Sequence, residues 1–372
     1  MKVSELQKFS LTYDITVRSV IDQCLLFTYN YREKGERSII LDLRKNTAYD
    51  INPNIFVLAK GPDEDSIIGC SHKTAYLISR ESQKCIQETS IEGYQPRLDV
   101  RENNTSLILF RNREKYHCQI IDILSKEVVG SFYQPEGFSL HRSRTTQNEI
   151  SLRPHQLEPT EKSSTFVNYD IQNDSVKLGR FATENYYDFM GYALDLSVYF
   201  SLQTAEVVVV SPIGQLVQSF TLEGYNRKTM PMVGYAYFEG LIILVYMADN
   251  KPSLIKADPK TGDVASFDAQ IPKSKFGKTI SPGNLTFPVV DGKILFKDRY
   301  ICLNSLKGGS ISFPEKIKWA DSTMTVFDNK IFIIKHFGFA QGTDTGFTLG
   351  AFEGSSLPEG SPIANFEDID CC

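Results

Sequence analysis

The chain is 372 residues long, 41% hydrophobic, 12% aromatic and 23% charged, and its 40 basic and 45 acidic side chains leave a formal charge of −5. No apolar run approaches the length of a bilayer-spanning helix, and Met1 to Tyr13 lacks the basic and apolar regions of a signal peptide, so the expected compartment is the cytoplasm. Net acidity repels polyanions, which ranks nucleic acid last among partners.

In chain order, the first element is a strand. Lys8 to Asp14 alternate apolar and polar residues, and residues 1–13 are expected to close the fold by pairing with C-terminal strands. Eight turns follow, at Asp22, Glu64, Asn103, Asn148, Asp195, Glu239, Asp291 and Asp328, each between apolar runs. The clearest are Val290-Asp291-Gly292-Lys293-Ile294, Phe327-Asp328-Asn329-Lys330-Ile331 and Phe238-Glu239-Gly240-Leu241-Ile242. Asp, Asn and Gly tolerate the positive φ of two-residue hairpins, so each turn joins two antiparallel strands.

A second recurrence lies downstream of these turns. Val129-Gly130-Ser131-Phe132, Val217-Gln218-Ser219-Phe220 and Val264-Ala265-Ser266-Phe267 are 88 and 47 residues apart. Leu178-Gly179-Arg180-Phe181 divides the longer interval into 49 and 39, and Ser310-Ile311-Ser312-Phe313 follows 46 residues after the third copy. An apolar strand and a turn precede each of the three full copies: Gln119–Ile123 then Ser125-Lys126, Glu206–Val210 then Pro212-Ile213-Gly214, and Leu254–Ala257 then Pro259–Gly262. Pro fixes one corner φ and Gly supplies a positive one, so strand, turn and strand are locally specified. Alternation puts Val and Ser on one strand face and Phe on the other. The valines are expected to pack between sheets.

Two hairpins per unit, a period near 46 residues and little helical periodicity describe a propeller blade. The expected fold is all-β, a single β-propeller over residues 1–372. Eight four-stranded blades give 372/8, about 46.5 residues each; seven blades with an extra hairpin is the alternative. Gly191-Tyr192-Ala193 and Gly234-Tyr235-Ala236, 43 residues apart, are read as equivalent positions on adjacent innermost strands. Residues 367–372 form a short acidic tail ending Cys-Cys.

Hairpins such as Val290–Ile294 resemble those of kelch and quinoprotein-like propellers, and Asp258-Pro259-Lys260-Thr261-Gly262-Asp263-Val264 is similar to the strand-turn-strand segment of the latter. The resemblance implies the fold and no functional residue. Trp319 is the one tryptophan, so the docking tryptophans of quinoprotein blades are missing. Neither the Gly-His and Trp-Asp pairs of tryptophan-aspartate repeats nor the double glycine of kelch repeats recurs.

Cys24, Cys70, Cys85, Cys118 and Cys302 fall singly in predicted strands, without metal-knuckle or redox spacing. Cys371-Cys372 resembles the doubly prenylated tail of Rab-type small GTPases, which makes a lipidated peripheral membrane protein one alternative. The preceding Asn365–Asp370 is acidic where that tail would carry cations. His72, His117, His141, His155 and His336 are scattered, and no phosphate-binding glycine loop or nucleophile elbow occurs, so neither metal nor cofactor is expected. A second alternative is an enzyme at the channel mouth, using candidates on the innermost strands: Arg97, Asp99, Arg101, His141, Arg142 and Asp188.

The favoured reading is a monomeric, non-catalytic protein–protein interaction scaffold. Three connections between blades, Glu223–Met230, Gln270–Gly283 and Pro314–Ala320, contain Arg227, Lys228, Lys273, Lys275, Lys278, Lys316 and Lys318 against Glu223 and Glu315. They also hold Tyr225, Phe276 and Trp319, and the connection before them adds Tyr186 and Tyr187. Rings supply desolvated contact and cations supply steering, so an acidic or phosphorylated protein segment is the expected partner.

Overall fold

In the computed structural model, the described residues are 1–11, 15–21, 23–31, 35–45, 47–51, 54–97, 105–134, 140–159, 164–225, 233–249, 251–269, 287–317, 322–327, 330–335 and 345–353. They form strands and turns without a helix, arranged as eight antiparallel sheets around a ring. Each sheet is one blade. Blade I runs from Ile15–Ile21 to Thr47–Ile51, blade II from Val57–Lys60 to Lys84–Ser90, and blade III from Gln95–Arg97 to Val128–Tyr133. Blade IV runs from Leu140–Thr145 to Ser175–Phe181, blade V from Tyr187–Ala193 to Leu216–Thr221, and blade VI from Gly234–Phe238 to Val264–Asp268. Blade VII runs from Val289–Val290 to Gly308–Ser310. Blade V gains a short fifth strand, Gln156–Leu157, which comes from blade IV and pairs with Tyr187 and Asp188.

Blade VIII is built from both ends of the chain. Ser322–Phe327, Lys330–Lys335 and Thr345–Phe352 supply three strands, and Val3–Leu11 lies antiparallel to the last of them as the outermost strand. Met1 and Val3 exchange backbone hydrogen bonds with Ser312 of blade VII, and Val3 is buried in the core between blades VII and VIII. A ring closed in this way leaves no blade lacking a neighbour.

The sequence turns at Glu64, Asn148, Asp195, Glu239 and Asp291 each join a first strand to a second, while Asp22, Asn103 and Asp328 lie outside the described residues. The Glu239-Gly240 and Asp291-Gly292 turns show why these residues stand there: φ is 49° and 88° in one, 46° and 63° in the other. These are the paired positive values of a tight hairpin. The turn from third to fourth strand has its own repeat. Asp42, Asp122, Asp170 and Asp258 each accept a hydrogen bond through Oδ1 from the N–H two residues on, at 2.8 to 3.0 Å. The Ser79 hydroxyl accepts in the corresponding turn from the N–H three residues on, that of Ser82, at 3.1 Å. Such side-chain acceptors fix the corner before the fourth strand begins.

The core is a circuit of separate layers between neighbouring blades. Ile40, Leu58 and Ile67 join blades I and II, Phe110, Ile68 and Ile121 join II and III, and Ile120, Ile150 and Val167 join III and IV. Phe166 and Val208 continue the series between IV and V, Val207 and Leu244 between V and VI, and Leu254 and Ile294 between VI and VII. Strands buried on both faces read as apolar runs, as in Glu206–Val210.

The fourth strands correct one expectation. Val129, Val217 and Val264 are 36%, 43% and 42% exposed, and Ser131, Ser219 and Ser266 share that solvent face. The packing face is the one that carries Phe. Phe132 is buried and stacks on Tyr169 of blade IV at 5.3 Å, while Phe220 and Phe267 are partly buried against the next interface. Blades diverge with distance from the axis, so an outermost strand meets a neighbouring sheet on one side only.

The two Gly-Tyr-Ala segments are a second correction. Both lie in innermost strands, but Gly191 stands three residues before the Leu194-Asp195 turn and Gly234 five before Glu239-Gly240. The shift is even, which preserves the strand face. In both places a side chain at glycine would collide with an aromatic ring of the following unit, Tyr235 for Gly191 and Phe287 for Gly234.

Candidate interaction face

An antiparallel four-stranded blade sends its first-to-second and third-to-fourth turns to one rim of the ring. The second-to-third turns and the connections between blades go to the opposite rim. On that opposite rim the described residues include a layer of rings. Phe56 lies 4.3 Å from the His72 ring. On blade III, the Tyr94 hydroxyl and His117 Nδ1 share a hydrogen bond of 2.6 Å, and the other side of the imidazole is covered by Tyr133 at 4.6 Å. Tyr133 is nevertheless 71% exposed. An aromatic side chain that is held in place yet left open is suited to contact with another molecule.

The residues singled out from sequence separate into three groups. Tyr186 is 50% exposed and Lys316 is also exposed, as a contact residue would be. Tyr187 is 4% exposed, with its hydroxyl donating to Glu206 Oε2 at 2.5 Å, and burial together with that carboxylate raises its pKa. Tyr225 is partly buried, edge-on to Phe200 at 5.4 Å, and bridges to Ala248. These two tyrosines pack into the layers between blades IV and V and between blades V and VI. Arg227, Lys228, Lys273, Lys275, Lys278, Lys318 and Trp319 lie outside the described residues, as do Cys371 and Cys372. The Tyr94, His117 and Tyr133 stack was not singled out, because no sequence spacing reveals that a connection, a third strand and a fourth strand end side by side.

Of the channel-mouth candidates, Arg97 and Asp188 stand on the innermost strands of blades III and V, and Asp188 accepts a hydrogen bond from Gln156 at 2.6 Å. His141 and Arg142 are on the innermost strand of blade IV, while Asp99 and Arg101 lie outside the described residues. No group of three or more metal-ligating side chains occurs among the described residues. The five described cysteines are free thiols. Burial raises Cys70 and takes Cys118 up to about 11, whereas hydrogen bonds from Ser305 hold Cys302 lower than an ordinary thiol.

No protein-family model matches this sequence, and no curated protein matches it. Solved structures do. The chain is similar to the structure of U3-55K, at 7% identity and a TM-score of 0.50, over 94% of this chain and 99% of that one. It is similar to the WD40 repeats of RRP9 at 8% identity and a TM-score of 0.50, over 94% and 97%. The likeness extends to the fold, a β-propeller, and the Trp-Asp signature does not recur in this sequence.

Proposed function

We propose that this protein is a non-catalytic interaction scaffold that binds an acidic or phosphorylated protein segment on the rim formed by its inter-blade connections. The observation that carries the reading is a local reversal of charge. Three connections leading into blades VI, VII and VIII hold seven cations against two carboxylates, in a chain of net charge −5. The exposed rings of Tyr133 and Tyr186 belong to the same rim and supply apolar contact beside the charge. We place the protein in the cytoplasm as a monomer.

The test is charge reversal of Lys273, Lys275 and Lys278 to Glu. Stability is expected to change little, because exposed charges contribute less than about 1 kcal/mol each. Capture of acidic and phosphorylated peptides from an array should weaken, chiefly through slower association, and the difference should shrink between about 0.05 M and about 0.3 M salt as screening grows. Equal capture by both proteins at both salt concentrations would remove the reading.

A further inference from the structure

The open edges of the eight sheets are not alike. The outermost strands of blades I, II, IV, VI and VIII include Asp50, Glu88, Lys177, Asp268 and Lys8, and that of blade VII is only Gly308–Ser310. Charge or brevity of this kind discourages a further strand from pairing with an edge. Val128–Tyr133 of blade III carries neither a charge nor a proline, and Val128, Val129 and Tyr133 are all exposed. It is the last strand of its sheet, so part of its backbone faces outward without a ladder partner. Beyond the bulge at Val129 the strand is regular, with Gly130 to Tyr133 paired residue for residue with Ile120 to His117.

This edge runs into the connection rim beside an anchored ring and a group of cations. Tyr133 lies on the His117 imidazole, which the Tyr94 hydroxyl holds from the other side, so its ring is fixed before any partner arrives. The Gln134 N–H donates to the Tyr116 carbonyl, which lays the end of the strand along the turn that carries Arg113 and Lys115, both exposed. Arg111 is half-buried next to them and Arg97 stands behind on the innermost strand; burial and the neighbouring Arg97 and Arg113 guanidinium groups lower the Arg111 pKa. Against these four cations the described residues of this end of the blade set Glu92 and Glu114. The far end of the edge has the opposite balance, Lys126 against Asp122 and Glu127.

We propose that an extended segment of a protein partner adds to blade III as a fifth strand along Gly130–Tyr133, with its acidic residues at the connection rim. The inference rests on the preceding section for the class of partner and adds the manner of binding. Backbone hydrogen bonds along the edge supply affinity, and Tyr133 with the Arg111, Arg113 and Lys115 group sets position and direction. Blade V offers the only comparable edge among the described residues, Leu216–Thr221 without a charge, but its rim end, with Gln203 to Ala205 and Glu223, holds no cation.

The probe is a synthetic peptide of alternating Val and Thr that ends in a run of Glu. Titration of the full chain is expected to show saturable binding, and hydrogen exchange of residues 128–133 should slow on binding while that of 216–221 does not change. A peptide ending in Lys, and one with Pro in its Val-Thr run, should each bind about tenfold more weakly, the first by charge and the second by loss of a backbone donor. Tyr133→Ala should weaken binding by about tenfold as well, with little effect on folding because the ring is exposed. Reversal of Lys273, Lys275 and Lys278 to Glu should leave binding of this peptide unchanged. Loss of binding in that triple variant but not in Tyr133→Ala would overturn the blade III edge and leave the basic connections as the site, whereas the converse would retain the edge without them. No saturable binding to wild type, equal binding of the Glu- and Lys-ended peptides, or protection of 216–221 in place of 128–133 would also overturn the proposal.

Discussion

Removal of residues 1–11 is expected to lower the melting temperature by about 10 °C or more. The deletion strips the outermost strand from blade VIII, whose residues from Val3 to Leu11 pair along Thr345 to Phe352. It also removes Val3, 1% exposed, from the core between blades VII and VIII, and the backbone bonds that Met1, Lys2 and Val3 make to Ser312 and Glu353. A buried valine is worth about 1.5 to 3 kcal/mol and each backbone bond about 1 kcal/mol net. Several such losses together exceed about 5 kcal/mol, which at about 2 °C per kcal/mol gives the stated fall. The shortened blade would present a bare edge, so aggregation on heating is expected as well. Calorimetry showing an unchanged transition would mean that the strand contributes nothing to closure.

Breaking the Asp42 and Arg80 pair should be nearly as damaging. The two side chains are fully buried and join blade I to blade II by a bidentate contact. Asp42→Ala or Arg80→Ala leaves a buried charge without its partner, at an expected cost of about 3 to 5 kcal/mol. Asp42→Leu combined with Arg80→Met removes both charges and should recover most of that loss. The exposed pairs Arg44 to Glu64 and Lys45 to Asp65 join the same blades, yet their removal should change stability by less than about 1 kcal/mol. Urea unfolding of wild type, Asp42→Leu, Arg80→Met and their combination, the four proteins of a double-mutant cycle, measures the coupling, and additive losses would show that the pair does not act as a unit.

The first-to-second hairpins were legible in the sequence because turn chemistry is local: a positive φ at Glu239-Gly240 or Asp291-Gly292 restricts residue type whatever surrounds it. The four aspartates that head the third-to-fourth turns were equally available, but unequal intervals between Asp42, Asp122, Asp170 and Asp258 hid all but the last. Alternation correctly separated Phe132 from Val129 and Ser131 but could not say which face meets a neighbour. That depends on distance from the ring axis, which the strand does not encode. For the same reason Tyr187 and Tyr225 could not be told from exposed rings, and the Tyr94, His117 and Tyr133 stack was invisible until three elements were brought to one rim. The buried Arg80 was hidden too, since a charged residue reads as solvent-facing until the next blade covers it.

Ring closure by the N-terminal strand is the claim on which the eight-bladed account rests, and hydrogen exchange followed by mass spectrometry tests it directly. Peptides covering residues 3–11 are expected to exchange as slowly as those covering the fourth strand of blade V, Leu216–Thr221, because both are backbone-paired outermost strands, and residues 345–352, paired on both sides, at least as slowly. Exchange of residues 3–11 at the rate of an unstructured chain, with residues 216–221 protected, would contradict it.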